Sequence, residues 1–148
     1  MSLHPGAMSG EAAHRYRVRV YYEDTDAGGV VYHAKYLGMA ERARTEAFRD
    51  IGVPHAELAS QHNLCFTVRR ASLDYAAPAR LDDLLSITTT IIALQGASVR
   101  LRQTFFRNEK STQPPLLVAD VHLACVRLAD MRPSRLPERW RAALAALT

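Results

Sequence analysis

Two aspartates, Asp24 and Asp26, stand two residues apart in the run YYEDTDAGGVVYH, followed at once by Gly28, Gly29 and then His33. A carboxylate can attack a carbonyl carbon or take a proton from water. Paired glycines let a ligand approach the backbone closely. His33 and Tyr22 are placed to orient a substrate or share a proton. Each residue alone has an ordinary role: Asp24 or Asp26 as an Asx turn or helix cap, Tyr22 as half-buried packing, His33 as a hydrogen-bonded surface residue. A cap needs one acid, so the cluster of two acids, two glycines and a histidine is what points to chemistry.

The elements that must hold this cluster follow from periodicity. YRVRVYY (16–22) alternates and is rich in β-formers, which predicts a first strand. In the stretch after the glycines, Tyr36, Ala40, Ala43, Ala47 and Ile51 recur at helical spacing, joined by Leu37 and Phe48. That predicts one long helix over about 34–51, with Gly52 at its left-handed end and Pro54 preventing continuation. A short helical turn is expected at PHAELASQ. The period then changes to two. LCFTVRRASLDY, LLSITTTIIAL, SVRLRQTFFRN and LLVADVHLACVRL read as four strands, the second and third joined by a tight reversal at QGA. EKSTQPP reads as a loop, and a short helix with Pro137 in its first turn closes the chain. Four late strands with short connections imply an antiparallel sheet, and a helix with one apolar face must lie on it. The helix starts just after the acidic turn, so its unpaired N–H groups and positive end face whatever binds there, a suitable place for a developing oxyanion. Acid and donors in one segment suit the hydrolysis of an activated ester.

At 148 residues the chain fits one domain, residues 16–148, behind a loose N-terminal tail, residues 1–15. No apolar run reaches the roughly 18–20 residues of a membrane span, and no secretory leader is visible. Cys65 and Cys125 lie in strand-like runs and read as structural thiols, which points weakly to the cytoplasm. The net charge is +4, and every basic residue but Lys35 and Lys110 is arginine. Arginine pairs well with phosphate, yet no recognisable nucleic-acid module is present. An EF-hand from Asp24 would need an oxygen ligand where Gly28 stands and Glu where Lys35 stands. GASVR lacks the second glycine of a nucleophile elbow. There is no P-loop, and the six histidines lack metal-ligand spacing, so no metal is expected.

The run VRVYYEDTDAGGVVYHAKYLGMAERARTEAF resembles the signature of hotdog-fold acyl-CoA thioesterases, in the YbgC-like branch associated with the Tol–Pal system and related to 4-hydroxybenzoyl-CoA thioesterase. The likeness continues through GVPHAEL, DYAAPARLDDLLSI and RPSRLPERW. It implies an α+β hotdog fold, a long central helix wrapped by a curved antiparallel sheet. It implies Asp26 as the catalytic carboxylate, whether attacking directly or activating water, with Tyr22 and His33 in the motif's tyrosine and histidine positions. It also implies a backbone N–H near Tyr32 to Ala34 on the thioester carbonyl, with Gly28, Gly29 and Tyr32 at the substrate. CoA is then part of the substrate and no cofactor is expected. Hotdog relatives build the site across a dimer, often doubled to a homotetramer, and an acyl carrier protein is a further partner. Arg132 and Arg135, with Arg69, Arg70 and Arg107, are candidates for the CoA phosphates. Tyr36, Met39 and Phe66 are candidates either for the acyl pocket or for the core. Three other functions compete: a hotdog dehydratase or hydratase, a non-catalytic binder of acyl carriers, and an RNA-binding protein suggested only by the basic charge.

Overall fold

The computed structural model describes residues 13–108 and 114–148, and residues 6–8 by their backbone. Strands β1 (Gly6–Met8) and β2 (His14–Arg19) precede a 3-10 turn (Tyr22–Asp24), helix α1 (Lys35–Asp50) and helix α2 (His55–His62). Strands β3 (Leu64–Tyr75), β4 (Leu84–Gln95), β5 (Ser98–Arg107) and β6 (Leu117–Arg127) follow, and helix α3 (Glu138–Leu144) lies near the C-terminus. All neighbours in the sheet are antiparallel, in the order β1-β2-β4-β5-β6-β3. The 12-residue β3 and the three-residue β1 are therefore the edges.

Helix α1 ends as its sequence demands. Gly52 takes φ +91°, its N–H donates to Arg49 O, and the Val53 N–H reaches back to Phe48 O. That pair of bonds is the Schellman arrangement, which satisfies carbonyls the helix leaves open. The buried face of α1 carries Tyr36, Met39, Ala40, Ala43, Ala47 and Phe48. The small alanines let the helix lie close on the inward residues of the sheet, including Leu85, Ile87, Leu101 and Phe105, all fully buried. Strand β5 alternates as expected: Val99, Leu101, Gln103 and Phe105 are buried, Arg100 and Arg102 exposed. Trp140 of α3 closes one end of the core, edge-on to Phe48 at 6.4 Å.

Two expectations need adjusting. The first strand stops at Arg19 rather than running to Tyr22. The Val20 N–H is taken by Asp83 O, and the Asp24 carboxylate accepts the Tyr21 N–H at 2.9 Å, which turns the chain into the 3-10 turn and leaves Tyr22 82% exposed. The expected tail falls mostly outside the described residues. Where described, Gly6–Met8 pair with β2, and His14 and Arg15 belong to β2. The centre of the EKSTQPP loop, residues 109–113, also lies outside the described residues.

Candidate active site

The loop from Thr25 to Val31 is a small closed hairpin. The Asp26 N–H donates to Val30 O at 2.9 Å and the Gly29 N–H donates to Asp26 O at 3.1 Å. Gly29 has φ +78°, a conformation that costs other L-residues about 1–2 kcal/mol. Asp26 folds back on its own turn: Oδ1 accepts the Gly28 N–H at 2.8 Å. A Cβ on Gly28 would sit 3.3 Å from that oxygen, tighter than ordinary contact. Oδ2 makes no hydrogen bond among the described residues. The carboxylate is thus aimed by one oxygen and open to solvent at the other.

A second segment, residues 76–83, holds this hairpin in place. The Val31 N–H donates to Ala79 O at 2.8 Å and the Leu81 N–H to Gly29 O at 3.2 Å. Arg107 braces the same segment through Asp83 Oδ2 at 3.0 Å and Pro78 O at 2.8 Å. Buried Tyr36 adds a bond from the Ala79 N–H to its hydroxyl at 3.2 Å. Burial raises the pKa of that phenol, which keeps it neutral.

The helix start is the third part. Ala34 is the N-cap of α1 and has no side-chain cap, so neither aspartate caps this helix. The Tyr32 N–H is already given to Asp24 O at 2.9 Å, and the Lys35 N–H to Tyr32 O at 2.8 Å. Among the described residues the N–H groups of His33 and Ala34 donate to nothing. The expected donors at Tyr32 to Ala34 therefore narrow to His33 and Ala34. The Tyr75 hydroxyl donates to His33 O at 2.7 Å, on the same peptide plane as the Ala34 N–H. His33, Val31, Tyr36, Tyr75, Ala76, Ala77 and Pro78 line a cleft of about 240 Å³ beside this peptide.

The sequence-predicted residues sort unevenly. Asp26 and His33 lie on the same short exposed segment. His33 leans on Tyr32 at 4.5 Å between ring centres, and among the described residues no hydrogen bond joins the side chains of Asp26, His33 and Tyr22. Tyr22 instead lines a separate shallow cleft with Tyr21, Glu23, Leu81 and Asp82. Gly28 and Gly29 spend their N–H groups inside the hairpin, so they shape the Asp26 turn rather than present donors to a ligand. Tyr36 and Met39 are core residues, 3% and 5% exposed. Arg107 is committed to bracing. Arg132 and Arg135 sit on the loop after β6, at the Leu64 end of β3, whereas the Asp26 hairpin sits near the Tyr75 end. At about 3.4 Å per residue those ends are roughly 37 Å apart, so one chain does not bring these arginines to Asp26. Sequence reasoning missed Tyr75 as a functional residue, although it opens the YAAPAR run that pins the hairpin.

An exposed carboxylate and, further along the same segment, free backbone donors beside a cleft are groups that ester hydrolysis uses. The thioesterase superfamily model matches residues 28–113. The chain belongs to the thioesterase superfamily. A Haemophilus influenzae acyl-CoA thioesterase YbgC is 44% identical over 126 residues, 85% of this chain and 90% of that protein. Among solved thioesterase structures, a probable thioesterase from Bartonella henselae is 40% identical, with TM-score 0.77 over 84% of this chain and 99% of that one. A 1,4-dihydroxy-2-naphthoyl-CoA thioesterase from Synechocystis is 27% identical, with TM-score 0.81 over 90% of this chain and 96% of its own. The hotdog thioesterase fold and the YbgC-like character expected from the motif are both borne out.

Proposed function

We propose that this thioesterase hydrolyses acyl-CoA, with Asp26 as the reacting carboxylate and the His33–Ala34 peptide as the oxyanion site. The observation that carries the reading is the pairing of an aimed, solvent-open Asp26 carboxylate with a helix start where the His33 and Ala34 N–H groups are free and the His33 carbonyl is tied to Tyr75. The thioester carbonyl oxygen accepts from the His33 and Ala34 N–H groups. As the carbonyl carbon becomes tetrahedral, those donors and the positive end of α1 stabilise the growing negative charge, a contribution of about 2.7–4 kcal/mol per donor in comparable sites. Asp26 either attacks the carbonyl carbon, to be freed by water afterwards, or takes a proton from an attacking water. In both routes the C–S bond breaks, CoA leaves as the thiol and the acyl group leaves as the acid. His33, beside this peptide, orients the substrate.

The edge strand supports a two-chain site. β3 is long and, among the described residues, unpaired on one side, with Val68 and Tyr75 about half exposed. An exposed edge invites pairing with a second chain, and a two-fold axis through its middle pairs it with itself, antiparallel. That operation sets the Leu64 end of one copy, with its Arg132 and Arg135 loop, beside the Tyr75 end and Asp26 of the other. Arg69 and Arg70, exposed on β3, lie along the same seam. In this arrangement the arginines hold the CoA phosphates of the neighbour's substrate. Residence in the cytoplasm rests on the reading of Cys65 and Cys125 as structural thiols, and a link to the cell envelope and an acyl carrier protein partner rest on the family resemblance alone.

Thiol release tests the reading. Saturated acyl-CoAs should yield one free thiol and one free acid per turnover. Turnover of β-hydroxyacyl or enoyl substrates without thiol release would instead indicate a dehydratase or hydratase.

A further inference from the structure

A second cavity, of about 220 Å³, lies between α1 and the inner face of β3 and is lined by Glu41, Arg44, His55, Phe66, Val68 and Leu123. Its polar groups are poorly served by the protein. Arg44 is 7% exposed, and its one side-chain hydrogen bond among the described residues is a long 3.4 Å contact to Gln103 Oε1. Gln103 is held by Ala40 O and Thr89 Oγ1 and cannot turn to offer more. A guanidinium carries five donors, and among the described residues the protein uses few of this one's. His55 adds a buried Nε2 with no partner among the described residues. Burial, and next Arg44, lower the pKa of this ring, which keeps the imidazole neutral. Glu41, one turn before Arg44, makes no ion pair with it among the described residues. Phe66, Val68 and Leu123 supply apolar wall.

The cavity shares a helix face with the proposed oxyanion site. Ala34, Leu37, Glu41 and Arg44 follow at three- and four-residue steps, the spacing of one helical stripe. At 1.5 Å per residue, Arg44 lies about 15 Å from Ala34 along the axis. Leu37, between them, is 46% exposed and gives an apolar step.

We propose that this cavity binds the hydroxyl-bearing far end of an acyl group, with Arg44 and His55 hydrogen-bonded to the oxygen and Glu41 accepting the proton. A hydroxyl suits the lining better than a carboxylate does. Arg44 can only donate and Glu41 can only accept, while a hydroxyl does both. The charges of Arg44 and Glu41 cancel, so a neutral group meets no net field. An alkyl end would displace water from the guanidinium and offer it no acceptor. The inference deepens the acyl-CoA reading and rests on the His33–Ala34 peptide as the place where the carbonyl sits.

The test is thiol-release kinetics on acyl-CoAs of equal length ending in a methyl, a hydroxyl or a carboxylate about 12–15 Å from the carbonyl, a reach set by the helix rise. The hydroxyl-ended substrate should show a KM about tenfold below the methyl-ended one, the scale of a hydrogen bond to a charged group. In Arg44→Met and in His55→Leu that ratio should fall to about twofold or less. Met replaces the buried charge with an apolar stem, a change that usually preserves folding, and melting curves check both variants. A methyl- or carboxylate-ended substrate preferred by the wild type overturns the proposal, as does a hydroxyl preference that survives both substitutions. Release of thiol from no substrate would instead overturn the acyl-CoA reading beneath it.

Discussion

The Tyr75 hydroxyl donates to the carbonyl of His33 at 2.7 Å, across 42 residues of sequence. The C=O of His33 and the N–H of Ala34 belong to one rigid peptide plane. Fixing the carbonyl fixes the direction of the N–H, and a hydrogen bond at the oxygen polarises the amide and strengthens its donor. Tyr75 also meets Tyr36 edge-on at 5.6 Å, so the phenol is itself held. In the proposed mechanism Tyr75 is a positioning residue that acts through this peptide. Tyr75→Phe keeps the ring contact and removes the bond. kcat should fall by about 5–10-fold, the scale of a net hydrogen bond of about 1–1.5 kcal/mol, with KM changing less than about twofold. Equal losses in kcat and in kcat/KM are the signature of an interaction made in the transition state. An unchanged kcat in a folded variant would remove Tyr75 from the mechanism.

Much of the frame around this bond is legible in sequence, because it is set by local rules. The bounds of β3 follow from period-two alternation, and α1 is recovered to within a residue at each end from its apolar stripe and Gly52. What is not legible is decided by particular hydrogen-bond partners, several of them far along the chain. Tyr21 and Tyr22 are good strand formers, yet Asp24 and Asp83 draw the chain into a 3-10 turn. Arg107 reads as a phosphate ligand until Asp83 and Pro78 claim its guanidinium. The Arg44 cavity has no sequence signal, because an arginine on a helix face is normally well exposed and this one is only 7% exposed.

The two glycines should fail differently. Gly29→Ala forces an L-residue into φ +78°, with nothing within 4 Å of the new Cβ. Its cost is strain of about 1–2 kcal/mol, a Tm loss of roughly 2–8 °C at this chain length, with modest change in kcat. Gly28→Ala places a Cβ 3.3 Å from Asp26 Oδ1 and should lower kcat more than it lowers Tm. Thermal melts beside thiol-release kinetics separate the two. A Gly28→Ala enzyme with full turnover would show that the carboxylate does not depend on this turn.

The two-chain site predicts a dimer or a dimer of dimers at micromolar concentration by light scattering, and a monomer there would contradict it. It also predicts that Arg132→Glu and Arg135→Glu raise KM for acyl-CoA with little change in kcat. The nucleotide end is bound alike in ground and transition states, so its loss is uniform. Shortened thioesters that lack the nucleotide should be indifferent to both substitutions. If neither changes KM, the phosphates are held elsewhere.

His55 predicts a pH dependence of stability. Its pKa is lowered from 6.5, first by desolvation and then by Arg44, with Arg49 adding to the decrease and Glu41 opposing it. The unfolded chain therefore binds a proton more readily than the folded one between the lowered value and 6.5, and stability rises with pH across that window. The contribution is complete above pH 6.5 and is lost as pH falls through the folded value. A His55→Gln variant should show a flatter Tm profile between about pH 5 and 7 than the wild type. Parallel profiles would mean that the ring titrates as freely folded as unfolded.

The central claim is that Asp26 performs the chemistry, and its direct test is the turnover of Asp26→Asn. Asn keeps the shape and can still accept the Gly28 N–H through its side-chain oxygen, so the hairpin and the oligomer should persist. It cannot act as base or nucleophile. Asp24→Asn is the matched control, since Asp24 only accepts the Tyr21 N–H at the 3-10 turn, a role Asn fills about as well as Asp. His33→Ala should fall between the two. Thiol release should fall by about 10²–10⁴-fold in a folded Asp26→Asn enzyme, the range for losing a positioned base, with near-normal turnover in Asp24→Asn. Near-wild-type hydrolysis by folded Asp26→Asn would contradict a chemical role for Asp26 and leave it as an ordinary turn residue.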